Sequence, residues 1–113
     1  MDCIFCKIVD GSIKGDIVFE DENVIAFRDL NAQAPHHILI IPRKHIPTVN
    51  DFNAADAHIF GQMGQAAKAI AADLNVADDG YRLVLNCNEH GGQTVFHTHM
   101  HFMAGRVFSW PPG

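Results

Sequence analysis

The stretch His97-Thr98-His99-Met100-His101-Phe102-Met103 alternates imidazoles with mostly apolar side chains over seven residues. A period of two predicts a strand, here Phe96 to Met103. Its three histidines would share one face at roughly 6–7 Å per step, with Thr98, Met100 and Phe102 on the other. Such a row suits three chemistries. It can be a polar row facing solvent, or a metal site, since neutral imidazoles are good ligands for zinc or copper. It can also be a nucleophilic centre, in which one imidazole nitrogen attacks phosphorus while its neighbours orient it and donate to the phosphoryl oxygens. The preceding loop, Asn86-Cys87-Asn88-Glu89-His90-Gly91-Gly92-Gln93-Thr94, favours the third. Gly91 and Gly92 would let the backbone approach a ligand with their N–H groups forming an anion nest, and Gln93 and Thr94 add side-chain donors.

Working outward, Tyr81 to Leu85 reads as a strand that joins the histidine strand through that loop. Ala54 to Leu74 carries Ile59, Met63, Ala66, Ala67, Ile70 and Leu74 at steps of three and four, which predicts one long helix, opened by Asn53 and Asp56 as a cap and its partner. Before it, Ile17–Glu20 and Val24–Arg28 flank the polar turn Asp21-Glu22-Asn23, the pattern of a hairpin. His37-Ile38-Leu39-Ile40-Ile41, rich in β-branched residues and ended by Pro42, predicts a central strand. Cys3 to Val9 fits a short amphipathic helix with Ile4, Ile8 and Phe5 on one side. The order implies an α+β domain, a sheet of about five antiparallel strands carrying one long helix and a short N-terminal helix.

The 113 residues suit one domain, 1–113. With 48% apolar and 19% charged residues the chain can bury a core without disulfides and is neither disordered nor membrane-spanning. Thirteen acidic residues against eight basic ones, with no basic cluster beyond Arg43-Lys44, argue against binding a nucleic-acid backbone but leave room for a single nucleotide. The opening Met1-Asp2-Cys3-Ile4-Phe5-Cys6-Lys7 lacks the basic start and apolar run of a secretory signal, so the expected compartment is the cytoplasm. Thiols stay reduced there, and Cys3, Cys6 and Cys87 read as metal-binding, reactive or packed.

The histidine run resembles the His-φ-His-φ-His-φ-φ signature of the histidine triad family of nucleotide hydrolases and transferases, with Thr98 departing at one φ position. Ala26–Asp29, Gln33–Pro42, Gly80–Asn86 and Trp110-Pro111-Pro112-Gly113 resemble the Hint branch of that family, in the same order along nearly the whole chain. The resemblance implies a homodimer with one continuous sheet, and a tail, 106–113, reaching the partner. It implies hydrolysis of purine nucleoside 5′-phosphoramidates, and of aminoacyl adenylates, through a nucleotidyl-histidine, releasing AMP or GMP. His99 would be the nucleophile. His101, Gln93, Thr94 and Asn86 would lie at the phosphate, and His37 would relay a proton to the departing amine. Asp29 would bind the ribose hydroxyls, Ile4, Phe5, Ile8, Phe27 and Leu30 would wall the base, and Trp110 would reach the other subunit's pocket. Because the donors are backbone and side-chain groups, the chemistry asks for no catalytic metal. The alternatives are a nucleotide-binding scaffold with vestigial catalysis, and a diadenosine polyphosphate hydrolase of the sister branch.

Cys3-Ile4-Phe5-Cys6 admits a redox, a metal and a packing reading, and no preceding strand supports the first. The resemblance implies a structural zinc completed by His45 and His97. His36, His58 and His90 are expected at the surface, Cys87 in packing, and Met63 and Met100 in the core.

Overall fold

The computed structural model describes residues 2–113. Its elements are helix α1 (Ile4–Val9), strands β1 (Ile17–Glu20), β2 (Val24–Arg28) and β3 (His36–Pro42), helix α2 (Ala57–Asp73), strand β4 (Tyr81–Leu85), the one-turn helix α3 (Asn88–Gly91) and strand β5 (Met100–Ala104). The strands form one antiparallel sheet in the order β1-β2-β3-β5-β4. Among the described residues no helix is long and apolar enough to cross a membrane.

The two faces of the sheet carry different loads. Ile38 and Ile40 of β3, Val24 and Ala26 of β2, and Met100, Phe102 and Ala104 of β5 pack under α2 against Met63, Ala66, Ala67 and Ile70, forming the main core. The alternate residues Ile25, Phe27, Leu39 and Ile41 turn to the other face, where α1 covers them with Phe5 and Ile8. With both faces covered, β3 reads as an unbroken apolar run instead of alternating. Six residues are too few for a helix to hold by its own hydrogen bonds, so α1 depends on this packing.

Three expectations need correction. The long helix begins later than Ala54: a 3₁₀ turn over Ala54–Asp56 comes first, closed by a reciprocal capping box between Asn53 and Asp56, and Leu74 is the C-cap. The expected loop Asn86–Gln93 contains α3. The last strand is shorter than Phe96–Met103, because residues 96–99 leave the sheet: Thr98 spends both its N–H and its hydroxyl on the carbonyl of Ile46, at 2.8 and 2.7 Å, instead of on a neighbouring strand.

Candidate active site and metal centre

That departure separates the histidines. His101 sits on β5 opposite Leu39 and faces α1, while His97 turns its ring away into a second cluster, so the three imidazoles do not form one row. His99 lies between, 5.1 Å from His101 by ring centroids, with Phe5 edge-on at the same distance. His99 and His101 open into a cleft of about 530 Å³. Its apolar wall is Ile4, Phe5 and Ile8 of α1 with Phe27 and Leu30; its polar side is Asp29, His37, Thr94, His99 and His101.

Main-chain partners decide which ring nitrogen carries each proton. A carbonyl can only accept, so His99 donates Nδ1–H to the carbonyl of His97 at 2.8 Å and keeps a bare lone pair on Nε2. An amide N–H can only donate: that of Gln33 reaches His37 Nδ1 at 3.0 Å, so neutral His37 carries its proton on Nε2. His37 Nε2–H then donates to His101 Nδ1 at 2.9 Å, which leaves the N–H of His101 on Nε2. The Asp29 carboxylate stands 3.4 Å from His37 Nε2. The cleft thus pairs a ring acceptor on His99 with a ring donor on His101. Burial, with smaller contributions from His99 and His37, pushes His101 down to about 4 against an opposing pull from Asp29. Burial also lowers His37, and Asp29 again opposes. Both rings are neutral at pH 7.

The second cluster lies behind Phe5. Cys3 and Cys6 Sγ with His45 and His97 Nδ1 are four ligand atoms all within 4.8 Å of one another, a set that could hold a metal ion. The distances are 3.4 Å from Cys3 to His97, 3.5 Å from Cys6 to His97, and 3.2 Å from His45 to both Cys6 and His97. The edges of a tetrahedron built on zinc bonds to sulfur and nitrogen are about 3.3–3.8 Å, so the donors fit. His97 Nε2–H donates to the carbonyl of Pro42 at 2.8 Å, which leaves Nδ1 bare for the metal, the usual outer-shell arrangement of a ligating histidine. Asp29, His37 and His101 form a second group with ligand spacing, but there the inward nitrogen of His37 bears the proton. The donor chemistry therefore favours the cysteine cluster.

Comparison with known proteins identifies the family. A family model described as scavenger mRNA decapping enzyme C-term binding matches residues 2–108. The purine nucleoside phosphoramidase of Escherichia coli K12 is 52% identical over 103 residues, 91% of this chain and 87% of that protein. A HIT family hydrolase from Legionella pneumophila Philadelphia 1 has a TM-score of 0.96 at 49% identity, covering 99% of this chain and 100% of the other. A histidine triad protein from Clostridium difficile reaches 0.94 at 40% identity, over 96% and 95%. The chain belongs to the histidine triad family, in its Hint branch.

In this histidine triad protein several expected site residues lie elsewhere. The amides of Gly92 and Gln93 bond to the carbonyls of Glu89 and Asn88, so they are spent inside the turn and form no open nest. Gln93 is buried and its side chain is also engaged: Oε1 accepts from Asn88 N–H, and Nε2 donates to the carbonyls of Pro47 and Val95. Asn86 does not line the cleft. Trp110 is exposed, as a residue expected to reach another subunit's pocket would be in a single chain. His58 and His90 are exposed, Cys87 and His36 half-buried, and Met63 and Met100 are in the core. Sequence reading missed the carbonyls of Pro42 and His97 and the amide of Gln33, which set the tautomers; main-chain groups leave no mark in composition. It also missed Lys14 and Asp16 at the cleft, on a loop with no motif. A separate cleft of about 550 Å³, beside Tyr81, Arg82 and Phe108, is lined by no histidine or cysteine.

Proposed function

We propose that the chain hydrolyses purine nucleoside 5′-phosphoramidates, and aminoacyl adenylates, in two displacements at the α-phosphorus. The observation that carries this reading is the complementary pair in the cleft: a bare Nε2 on His99 beside an Nε2–H on His101. The E. coli relative named purine nucleoside phosphoramidase supports the substrate class.

In the first displacement the His99 Nε2 lone pair forms the N–P bond. The P–N bond to the amine breaks with its electron pair on nitrogen, which takes a proton from solvent at the open cleft; in an aminoacyl adenylate the P–O bond to the carboxyl group breaks instead and the carboxylate leaves with the pair. The ring becomes cationic, and the His97 carbonyl stabilises it through Nδ1–H. His101 and the hydroxyl of Thr94 donate to the phosphoryl oxygens. Water then attacks phosphorus and loses a proton to solvent, the N–P pair returns to His99, and AMP or GMP leaves. The base lies against Ile4, Phe5, Ile8, Phe27 and Leu30, with the ribose hydroxyls at Asp29. Gln93 and Asn86 shape the loop behind Thr94. His37 is a positioning residue here: its Nδ1 is occupied by the amide of Gln33, so it cannot store a second proton without breaking that bond.

Cys3, Cys6, His45 and His97 hold zinc in this reading. A closed four-ligand shell leaves no position for substrate, so the ion supplies folding energy and not Lewis acidity. Two copies pair along the outer edge of β4, where Leu83 is exposed, and the tail 106–113 with Trp110 crosses to the partner.

The test is AMP release from an AMP-amine phosphoramidate by the unmodified chain, His99→Ala and His99→Gly, each confirmed as folded and weighed by light scattering. Turnover falls by about 10³ or more in both variants, the scale on which loss of a nucleophile acts. Mass spectrometry after a brief reaction finds a nucleotidyl adduct on the unmodified chain alone. An unmodified chain that binds AMP but neither cleaves nor forms the adduct would be a binding protein, and the reading would fail.

A further inference from the structure

Residues 97–99 lie outside the sheet, yet they carry the nucleophile, so something other than a strand ladder must hold them. The hydrogen bonds of His97 and Thr98 run to the segment Pro42–Ile46 and to the cluster to which that segment gives His45. His97 is fully buried and donates Nε2–H to the Pro42 carbonyl, while its Nδ1 meets Cys3, Cys6 and His45. Thr98 bonds twice to the Ile46 carbonyl. The segment is itself anchored, Arg43 Nε to the Asp21 carbonyl at 2.7 Å and Lys44 Nζ to Asp56 at 2.8 Å. His99 has one main-chain partner for its ring, and that is the carbonyl of His97. The residue that ends the metal cluster therefore begins the nucleophile's hydrogen bond.

A second path runs through Phe5, which lies between the two cysteines on α1. Its ring stands edge-on to His97 at 5.9 Å and to His99 at 5.1 Å between centroids. Cys3 is the N-cap of α1, its Sγ accepting from the Cys6 amide. A metal held by both cysteines would fasten the helix that presents this ring to the nucleophile.

We infer that Cys3, Cys6, His45 and His97 act as positioning residues for the reaction. When they hold a metal, the His97 carbonyl keeps His99 in the Nδ1–H tautomer with Nε2 free for attack, and α1 keeps Phe5 against the ring. This rests on the nucleotidyl-histidine reading above, but the tautomer can be measured without turnover. The four ligands thus do more than staple the fold. They hold in place the His97 carbonyl that sets which nitrogen of His99 is nucleophilic.

The experiment compares the full chain loaded with Zn²⁺, the same chain after chelation, Cys6→Ser, and Cys6→His, which keeps four ligands. Three quantities are read on each: metal content, the His99 tautomer from ¹⁵N-edited imidazole NMR, and the rate of adduct formation in a single turnover, normalised to folded protein by circular dichroism. In the loaded chain His99 is the Nδ1–H tautomer. On chelation and in Cys6→Ser it becomes a mixture of tautomers and adduct formation slows about 10- to 100-fold, the usual cost of losing such support. Cys6→His with metal restores both. A metal-free chain that melts at lower temperature but keeps the tautomer and adduct rate overturns the inference, because the centre would then be a staple only. A chain that binds no metal also overturns it. If the loaded chain forms no adduct, the hydrolase reading fails, while the NMR comparison still decides the coupling. Should Cys6→Ser not fold, the chelated chain read before and after Zn²⁺ is added back carries the same comparison.

Discussion

At the scale of single residues the site is a set of fixed protons. His99 gives one ring nitrogen to the main chain and His101 gives one to His37, and in each the other nitrogen is what the chemistry meets. His37 differs in having both nitrogens committed, because its Nδ1 faces an amide that cannot accept and its Nε2–H is given to His101. Replacing it should unseat His101 without removing a reacting group. His37→Leu is expected to lower kcat about 10- to 100-fold with little change in KM, and His37→Gln, which can still accept and donate, to recover part of the loss. Steady-state kinetics across pH checks this. A loss beyond about 10³, with a displaced acid limb of the profile, would make His37 a proton donor instead.

At the scale of elements, the two helices do different work. α2 stabilises the fold from the face opposite the cleft, and the 3₁₀ turn that leads into it is secured by the Asn53–Asp56 box. Asn53→Ala should cost about 1 kcal/mol and lower Tm by about 4 °C, while AMP release per folded molecule stays unchanged; thermal melts beside initial rates read both. A change in rate of more than a few-fold would mean that α2 couples to the cleft. α1, by contrast, is a wall of the cleft and carries Cys6, with Cys3 as its N-cap. The helix periodicity of α2 and the hairpin β1–β2 were legible because each obeys one local period. β5 was not fully legible: His97–Met103 keeps strand alternation throughout, but Thr98 finds its partner in Ile46, 52 residues away, and the ladder starts only at Met100.

Across the whole molecule, the buried imidazoles link stability to pH. His37, His97 and His101 are all held below the ordinary value of 6.5, in each case chiefly by burial. The unfolded chain therefore binds more protons than the native one between the native values and 6.5, so stability rises with pH in that window. The contribution is complete above about 6.5 and is lost as pH falls, for His101 down to about 4. Asp56, held low by Lys44, adds a separate loss at more acid pH. Tm should fall from pH 7 to pH 4, with net proton uptake on unfolding measured by calorimetry in buffers of different ionisation enthalpy, and His101→Asn should flatten the slope. A Tm that stays level to pH 4.5 would contradict this assignment of neutral rings.

What the sequence determined by itself was local or motif-borne: the periods that make the α2 face and the strands, the identity of the nucleophile candidate, and the residue types at Cys3, Cys6, His45 and His97. Those follow from neighbours along the chain, since backbone geometry fixes which side chains share a face. Tertiary structure alone decided that the triad divides between two clusters, that Gln93 is spent inside its loop, and that Gln33, Pro42 and His97 set the tautomers through main-chain groups. These depend on hydrogen bonds between segments distant in sequence, and every residue type offers the same backbone donor or acceptor there, proline's missing N–H aside. No pattern of side chains could have announced them.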